Sequence, residues 1–307
     1  MPNLQEVRNR IASVSSTQQI TSAMKMVSAA KFRRAQSAII GMRPYANQLS
    51  EIISDIDVGD GVLTPYHETR KVERVLLVVV TSNKGLCGAF NSNIIKSANA
   101  RVEEYHRQGV SVNIISLGKR GSETFRKQKE LLLGSYDEML DNTSFDVISS
   151  LAEQVMQDFV AKKYDRVEII YNQFKNSLVQ ILSNEQFLPI VPKGTEVKKS
   201  AAKDSSASVS SGSKSAKVAM CNDYIYEPNK EEILRQMIPL TLRSQFYRIV
   251  LDSLASENGA RMNAMQKATD NATELLKELR LSYNKARQAA ITNEIIEIVS
   301  GANALNG

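Results

Sequence analysis

Val75-Leu76-Leu77-Val78-Val79-Val80 is an unbroken apolar run, and Thr81-Ser82-Asn83-Lys84-Gly85-Leu86-Cys87-Gly88-Ala89-Phe90-Asn91 follows it directly. An apolar run without polar alternation suits a strand buried on both faces. The glycine-containing turn after it leads into a helical stretch over about 91–107. Val110-Ser111-Val112-Asn113-Ile114-Ile115 reads as a second strand. A helical pattern over roughly 144–162 then precedes a third, Arg166-Val167-Glu168-Ile169-Ile170-Tyr171. This β-α-β-α-β alternation predicts a parallel, Rossmann-like α/β domain over 72–192. Ser177-Leu178-Val179-Gln180-Ile181-Leu182 follows too closely for a helical crossover, which predicts an antiparallel strand in the same sheet.

Outward from this domain the period changes to that of helices. Leu4, Val7, Ile11 and Val14 recur at 3-4-3 spacing. After a phase slip, Ile20, Ala23, Val27 and Ala30 repeat it, and Tyr45, Leu49, Ile52 and Ile56 continue it. The expected helix runs from about 3 to 57, within an N-terminal segment 1–60, with a bend at Gly41 and Pro44. At 1.5 Å per residue it would be roughly 80 Å long. Residues 228–305 form a second such segment, with a kink at Pro239 and a weak point at Gly259. In it Leu276, Leu279, Tyr283, Ala286 and Ala290 make a 3-4-3-4 seam. Small residues (Ala23, Ala30, Ala268, Ala272, Ala286) would let two helices pack closely. The fold expected is therefore a long antiparallel α-helical coiled coil of the N- and C-terminal segments flanking the α/β domain.

The chain has 307 residues, 42% of them apolar, and no Trp. That composition supports a sizeable core and disfavours an aromatic binding platform. Cys87 and Cys221 cannot make a disulfide framework, and His67 and His106 have no second ligand at metal spacing, so no metal site is expected. No apolar run reaches the ~18 residues that cross a bilayer, and the start Met1-Pro2-Asn3-Leu4-Gln5-Glu6 lacks signal-peptide features, so an intracellular protein is expected. Residues 193–219 hold eight Ser and six Lys against two acids and no aromatic, which predicts a flexible loop over 193–222.

Three features bear on function. The turn 81–91 lies where α/β folds bind phosphates, but Gly85 and Gly88 give neither Gly-x-Gly-x-x-Gly nor a Walker sequence. A tight strand-to-helix turn is the favoured reading, with a Rossmann-type nucleotide-binding enzyme as the alternative. Residues 1–46 carry Arg8, Arg10, Lys25, Lys31, Arg33, Arg34 and Arg43 against Glu6, a surplus equal to the net charge of +6. A basic helix can bind nucleic acid, so a coiled-coil nucleic-acid binder is a second alternative. Because this helix also carries a seam, its charge sits on the outside of a rod, which fits an acidic protein partner better. Lastly, Ile291, Ile295, Ile298, Val299 and Ala302 make an apolar stripe beyond the reach of the first helix. Such a stripe either folds back on the body or is enclosed by another protein.

At these same residues the chain resembles the gamma subunit of F-type ATP synthase, of bacterial type, over nearly its whole length. The resemblance rests on Ile20-Thr21-Ser22-Ala23-Met24-Lys25-Met26-Val27-Ser28-Ala29-Ala30-Lys31, Arg43-Pro44-Tyr45 and the 82–91 loop. It rests most on Ser256-Glu257-Asn258-Gly259-Ala260-Arg261-Met262, Ala268-Thr269-Asp270-Asn271-Ala272, Tyr283–Thr292 and Glu297–Ala302. It implies a central rotor shaft that couples transmembrane proton flow to ATP synthesis or hydrolysis in an alpha/beta ring, without catalytic residues, cofactor or metal of its own. The implied partners are the alpha, beta, delta, epsilon and c-ring subunits, with no nucleic acid. The implied location is the cytoplasmic face of the bacterial inner membrane, peripheral and held through the c ring only. By matching position, Met24 faces an acidic lever of a beta subunit. Arg261, Gln288 and Thr292 bond a beta loop, and Glu227, in Tyr226-Glu227-Pro228, marks the turn near the foot. The 193–219 loop lacks a cysteine pair, so thiol regulation is not implied.

Overall fold

The computed structural model describes residues 4–57, 65–127, 131–141, 143–190, 227 and 229–305. Two helices dominate it: α1 (Leu4–Asp57) and α5 (Lys230–Leu305), of 54 and 76 residues. Between them lie β1 (Arg74–Val80), α2 (Phe90–Arg107), β2 (Ser111–Leu117), α3 (Lys119–Phe125), β3 (Leu132–Ser135), α4 (Phe145–Val160), β4 (Arg166–Phe174) and β5 (Gln180–Leu188). The loop expected over 193–222, and Cys221 with it, lie outside the described residues.

The sheet has the order β3-β2-β1-β4-β5, parallel except for the antiparallel β4–β5 pair. Burial on both faces of β1 explains why its sequence is apolar without a break from Val75 to Val80. Leu76, Val78 and Val80 face α4 and the first part of α5, with Ile148, Leu151, Val155, Leu234, Leu242 and Phe246. Val75, Leu77 and Val79 face α2, with Ile94, Ala98, Val102 and Tyr105. Ser144 caps α4, its Oγ accepting from the Val147 N–H at 3.5 Å. Two elements were not anticipated. The seven-residue α3 and the four-residue β3, an edge strand with alternating partial burial, are too short for periodicity to declare. β5 also starts later than expected. Ser177–Val179 belong to a turn in which Asn176 Oδ1 accepts from the Leu178 and Val179 N–H groups at 3.0 and 2.6 Å. Leu178, Val179, Ile181 and Leu182 are exposed rather than buried in the sheet.

α1 lies antiparallel along the middle of α5. Gln18 meets Thr273, Thr21 meets Thr269, and Ile39 packs with Leu251 and Ala255. Both helices run through Pro44 and Pro239 without ending, and α5 passes Gly259 unbroken, where that glycine faces the Phe32 ring. The α5 seam is seen at Leu276, Leu279, Tyr283 and Ala286, while Ala290 is exposed.

On α1 the expected phase slip does not occur. The inward positions continue from Val7, Ile11 and Val14 through Gln18, Thr21, Met24 and Ser28 to Phe32, Ala35 and Ile39. Ile20, Ala23, Val27 and Ala30, expected in the seam, are exposed, as is Tyr45; the side chains of Ile52 and Ile56 lie outside the described set. The reason is that this part of the seam is polar. Gln18 Nε2 donates to Thr273 Oγ1 at 2.7 Å, Thr269 Oγ1 donates to Thr21 Oγ1 at 2.9 Å, and buried Ser28 donates to the Met24 carbonyl at 2.8 Å. Hydrogen-bonded side chains thus fill a seam that apolar residues would ordinarily fill.

Glu168 on β4 ties the far edge of the sheet to α2. Arg101 donates to it through Nε and Nη2, both at 2.9 Å; Asn184 donates from β5 at 3.0 Å, and the Tyr105 hydroxyl donates as well. Burial by itself raises the Glu168 carboxyl, but the bonds from Arg101, Tyr105 and Asn184 outweigh it and hold the group below the usual carboxylate range. A folded-state pKa below the unfolded one means that the stabilisation is complete above the unfolded value and lost as pH falls through the folded one. Glu168→Ala, which leaves Arg101 without its buried partner, is expected to cost about 3–5 kcal/mol in urea unfolding. The wild-type minus variant difference should shrink below about pH 4; a difference independent of pH would contradict this account.

Candidate partner-contact surface

α5 outruns α1. Past about residue 287 nothing among the described residues packs on it, and every described side chain from Ile291 to Ala302 is exposed. Ile298 is 66% exposed, and Ile291, Ile295, Ile296 and Val299 are about half exposed. Of the two readings of this stripe, folding back on the body is therefore excluded. Gln288 and Thr292 stand at the base of this tip, both exposed and one helical turn apart on one face. The Thr292 hydroxyl donates to the Gln288 backbone carbonyl at 2.9 Å.

A second apolar patch lies on the outer face of α1. Ile20, Met26 and Val27 are 57%, 64% and 58% exposed, with exposed Ala23 between them and Ala30 one turn beyond. Met24 is half-buried at the edge of the seam rather than fully outward. Lys31, Arg33 and Arg34 are exposed just beyond, so the basic character expected of this helix does lie on the outside of the rod. The hydrophobicity pattern alone assigned Ile20 and Val27 to the seam. The signal that could have placed them outward is the hydrogen-bonding potential of Gln18, Thr21, Thr269 and Thr273.

Arg261 is not part of this outer surface. It is 7% exposed and turned into the chain's own α/β layer. Nη2 donates to the Lys84 carbonyl at 2.7 Å, Nε to the Gly85 carbonyl at 3.2 Å, and Nη1 pairs with Glu257 at 2.7 Å. Within this chain it binds the loop that follows β1. That loop is well fixed. The Ser82 hydroxyl donates to the Lys84 carbonyl at 2.7 Å, and Asn91 accepts from the Ser82 N–H at 3.0 Å. Gly118 opposite adopts φ +108°, and a Cβ there would lie 2.4 Å from the Thr81 carbonyl oxygen. A phosphate cradle presents N–H groups. Here two successive carbonyls are turned to a cation, so the 81–91 segment is a joint between sheet and rod. Cys87 is buried in it, next to Asn91. Glu227 is exposed just before α5, remote in sequence from the rod tip.

Glu257 beside Arg261 is a buried carboxyl. Burial raises its pKa, and the Arg261 charge and hydrogen bond only partly oppose this. Arg261→Leu would leave this acid and two carbonyls without their donor, an expected loss of about 3–5 kcal/mol in thermal or urea unfolding. Arg261→Leu with Glu257→Gln should recover part of that loss; equal losses in the single and double variants would mean that the pair is not what holds the joint.

Comparison with known proteins supports this arrangement. A family model described as ATP synthase matches residues 3–305. An ATP synthase gamma chain from Cytophaga hutchinsonii is 52% identical over 311 residues, covering the whole of both chains. One from Flavobacterium johnsoniae is 49% identical, and one from Geobacter metallireducens 40%, again with all of both chains covered. Among solved structures, the central stalk and c-ring of Tetrahymena thermophila mitochondrial ATP synthase contains a chain 26% identical, with a TM-score of 0.56. The match covers 81% of this chain and 99% of that one. A chain in the rotor of Euglena gracilis mitochondrial ATP synthase shares the fold at 20% identity and a TM-score of 0.61, over 94% and 98% of the two chains. A rod that leaves its tip uncovered, a joint in place of a phosphate cradle, and full-length identity at this level agree: the chain belongs to the ATP synthase gamma-chain family.

Proposed function

We propose that this chain, the central rotor shaft of an ATP synthase, transmits torque without taking part in bond chemistry. The observation that carries the reading is the uncovered apolar tip of α5, whose exposed isoleucines are unfavourable in water and suit enclosure by a surrounding ring of subunits. The ring is made of alpha and beta subunits; the α/β layer at the other end stands on a c ring beside epsilon, with delta elsewhere in the complex. No described helix is long and apolar enough to cross a membrane, and association with the cytoplasmic face of the bacterial inner membrane runs through the c ring. The family assignment gives no support to the Rossmann enzyme or the nucleic-acid binder.

Torque enters at the sheet and leaves along α5. Leu234, Leu242 and Phe246 of α5 are core residues of the α/β layer, and Arg261 binds the loop after β1, so layer and rod turn as one body. As α5 turns, its contacts with each beta subunit differ, and differential contact is what shifts a conformational equilibrium. Met24, Gln288 and Thr292 meet the ring and Glu227 lies at the foot, whereas Arg261 acts through its own joint.

Gln288→Leu with Thr292→Val in the assembled complex is the test. Each hydrogen bond lost to a charged partner group removes about 1.5–3 kcal/mol from the state that makes it. Multisite ATP turnover is expected to fall by at least tenfold while single-site hydrolysis is unchanged. Unchanged multisite turnover would remove the coupling role, and loss of single-site chemistry in a fully assembled complex would contradict the non-catalytic reading.

A further inference from the structure

A cleft of about 500 Å³ lies where the rod meets the α/β layer, walled by α1, α5 and the loops after β1 and before α4. Its volume is within the range that takes small organic ligands. Lys31 and Arg34 reach it from α1, and Lys84 from the loop after β1. All three are exposed, and none makes a close ion pair with a carboxylate among the described residues, although the Lys31 charge acts on the buried Glu257 carboxyl from a distance. The other charges lining it are Arg261, already bound to Glu257 at 2.7 Å, and Asp141. Cations therefore outnumber acids by four to two, and the three unpaired ones come from two separate segments that converge on one opening.

The lining also holds apolar side chains, Tyr247 and Leu254 of α5 among them. The Tyr247 ring is fixed in place by an edge contact with Phe145, centroids 5.4 Å apart, and by its hydroxyl, which donates to the Thr143 carbonyl at 3.3 Å. A preset ring beside unpaired cations recognises a molecule with an apolar body and an anionic head. Several converging cations favour a dianion over a single carboxylate.

We propose that this cleft binds a small organic phosphate that carries a ring, its phosphate among Lys31, Arg34 and Lys84 and its ring against Tyr247 and Leu254. The site is separate from the rotor reading and stands or falls without it. A ligand seated there touches α1, α5 and the sheet loops together, so it bridges the joint that Arg261 holds.

The test is titration of the full chain with 1-naphthyl phosphate, followed by probe fluorescence. Saturable one-site binding that weakens as salt rises is expected. Lys31→Gln, Arg34→Gln and Lys84→Gln should each weaken it about two- to fivefold, the range for exposed charge pairs. These side chains are exposed, so the melting temperatures should match wild type and serve as the folding control. Leu254→Ala and Tyr247→Leu should weaken the naphthyl probe while leaving displacement by inorganic tripolyphosphate unchanged. Three results would each overturn the proposal: no saturable binding at millimolar probe, equal binding in all three charge variants, or displacement by hexaglutamate at lower concentration than by tripolyphosphate. The last would make the cleft a surface for an acidic polypeptide.

Discussion

The burial of α5 on two successive partners governs the rest of the molecule. One helix of 76 residues gives its first third to the sheet, where Leu234, Ile238, Leu242 and Phe246 complete a core with α4. Its middle third packs on α1, and its last part packs on nothing among the described residues. A helix of this length is stiff because each residue adds one backbone hydrogen bond to a single ladder. The element that fills the core of the α/β layer is therefore also the element that projects from it, and movement of one end is imposed on the other.

That arrangement needs a joint that does not bend, and the joint is built from ions and carbonyls. Arg261 uses three of its nitrogens on Lys84, Gly85 and Glu257, where both charged side chains are largely buried. Its planar fork suits two carbonyls and a carboxylate at once, which a lysine ammonium would not match in geometry. Around it the loop after β1 has its own internal bonds, so the arginine docks on a preformed surface. Phe32 from α1 packs edge-on against Phe174 at the end of β4, centroids 5.4 Å apart, which adds an apolar contact between rod and sheet.

The rod separates two demands by chemistry. Inside the seam, Gln18, Thr21, Thr269 and Thr273 bond to one another, which fixes the register of one helix against the other. A polar layer of this kind trades some burial energy for a defined alignment. Outside, Ile20, Met26 and Val27 remain in water. In an isolated protein that is an unfavourable placement, and it is understandable when the surface is made to be covered by other subunits.

The sequence by itself determined the fold class, both long helices to within a few residues, the alternation of strands and helices, and the apolar stripe near the end of α5, because each of these is written in a period or a length; that this stripe stays uncovered was shown only by the structure. It did not declare α3 and β3, which are shorter than any period, nor the late start of β5, which a local Asn176 turn decides. Periodicity also misplaced Ile20, Ala23, Val27 and Ala30, since hydrophobicity marks what must leave water and not which partner covers it. Arg261 was legible as a functional residue within a recognisable motif, yet its direction was not. Only the tertiary structure, by bringing Lys84 and Gly85 to within hydrogen-bond distance of a residue some 176 positions away, turned it inward: two carbonyls and a buried acid fixed in place outcompete solvent for a guanidinium.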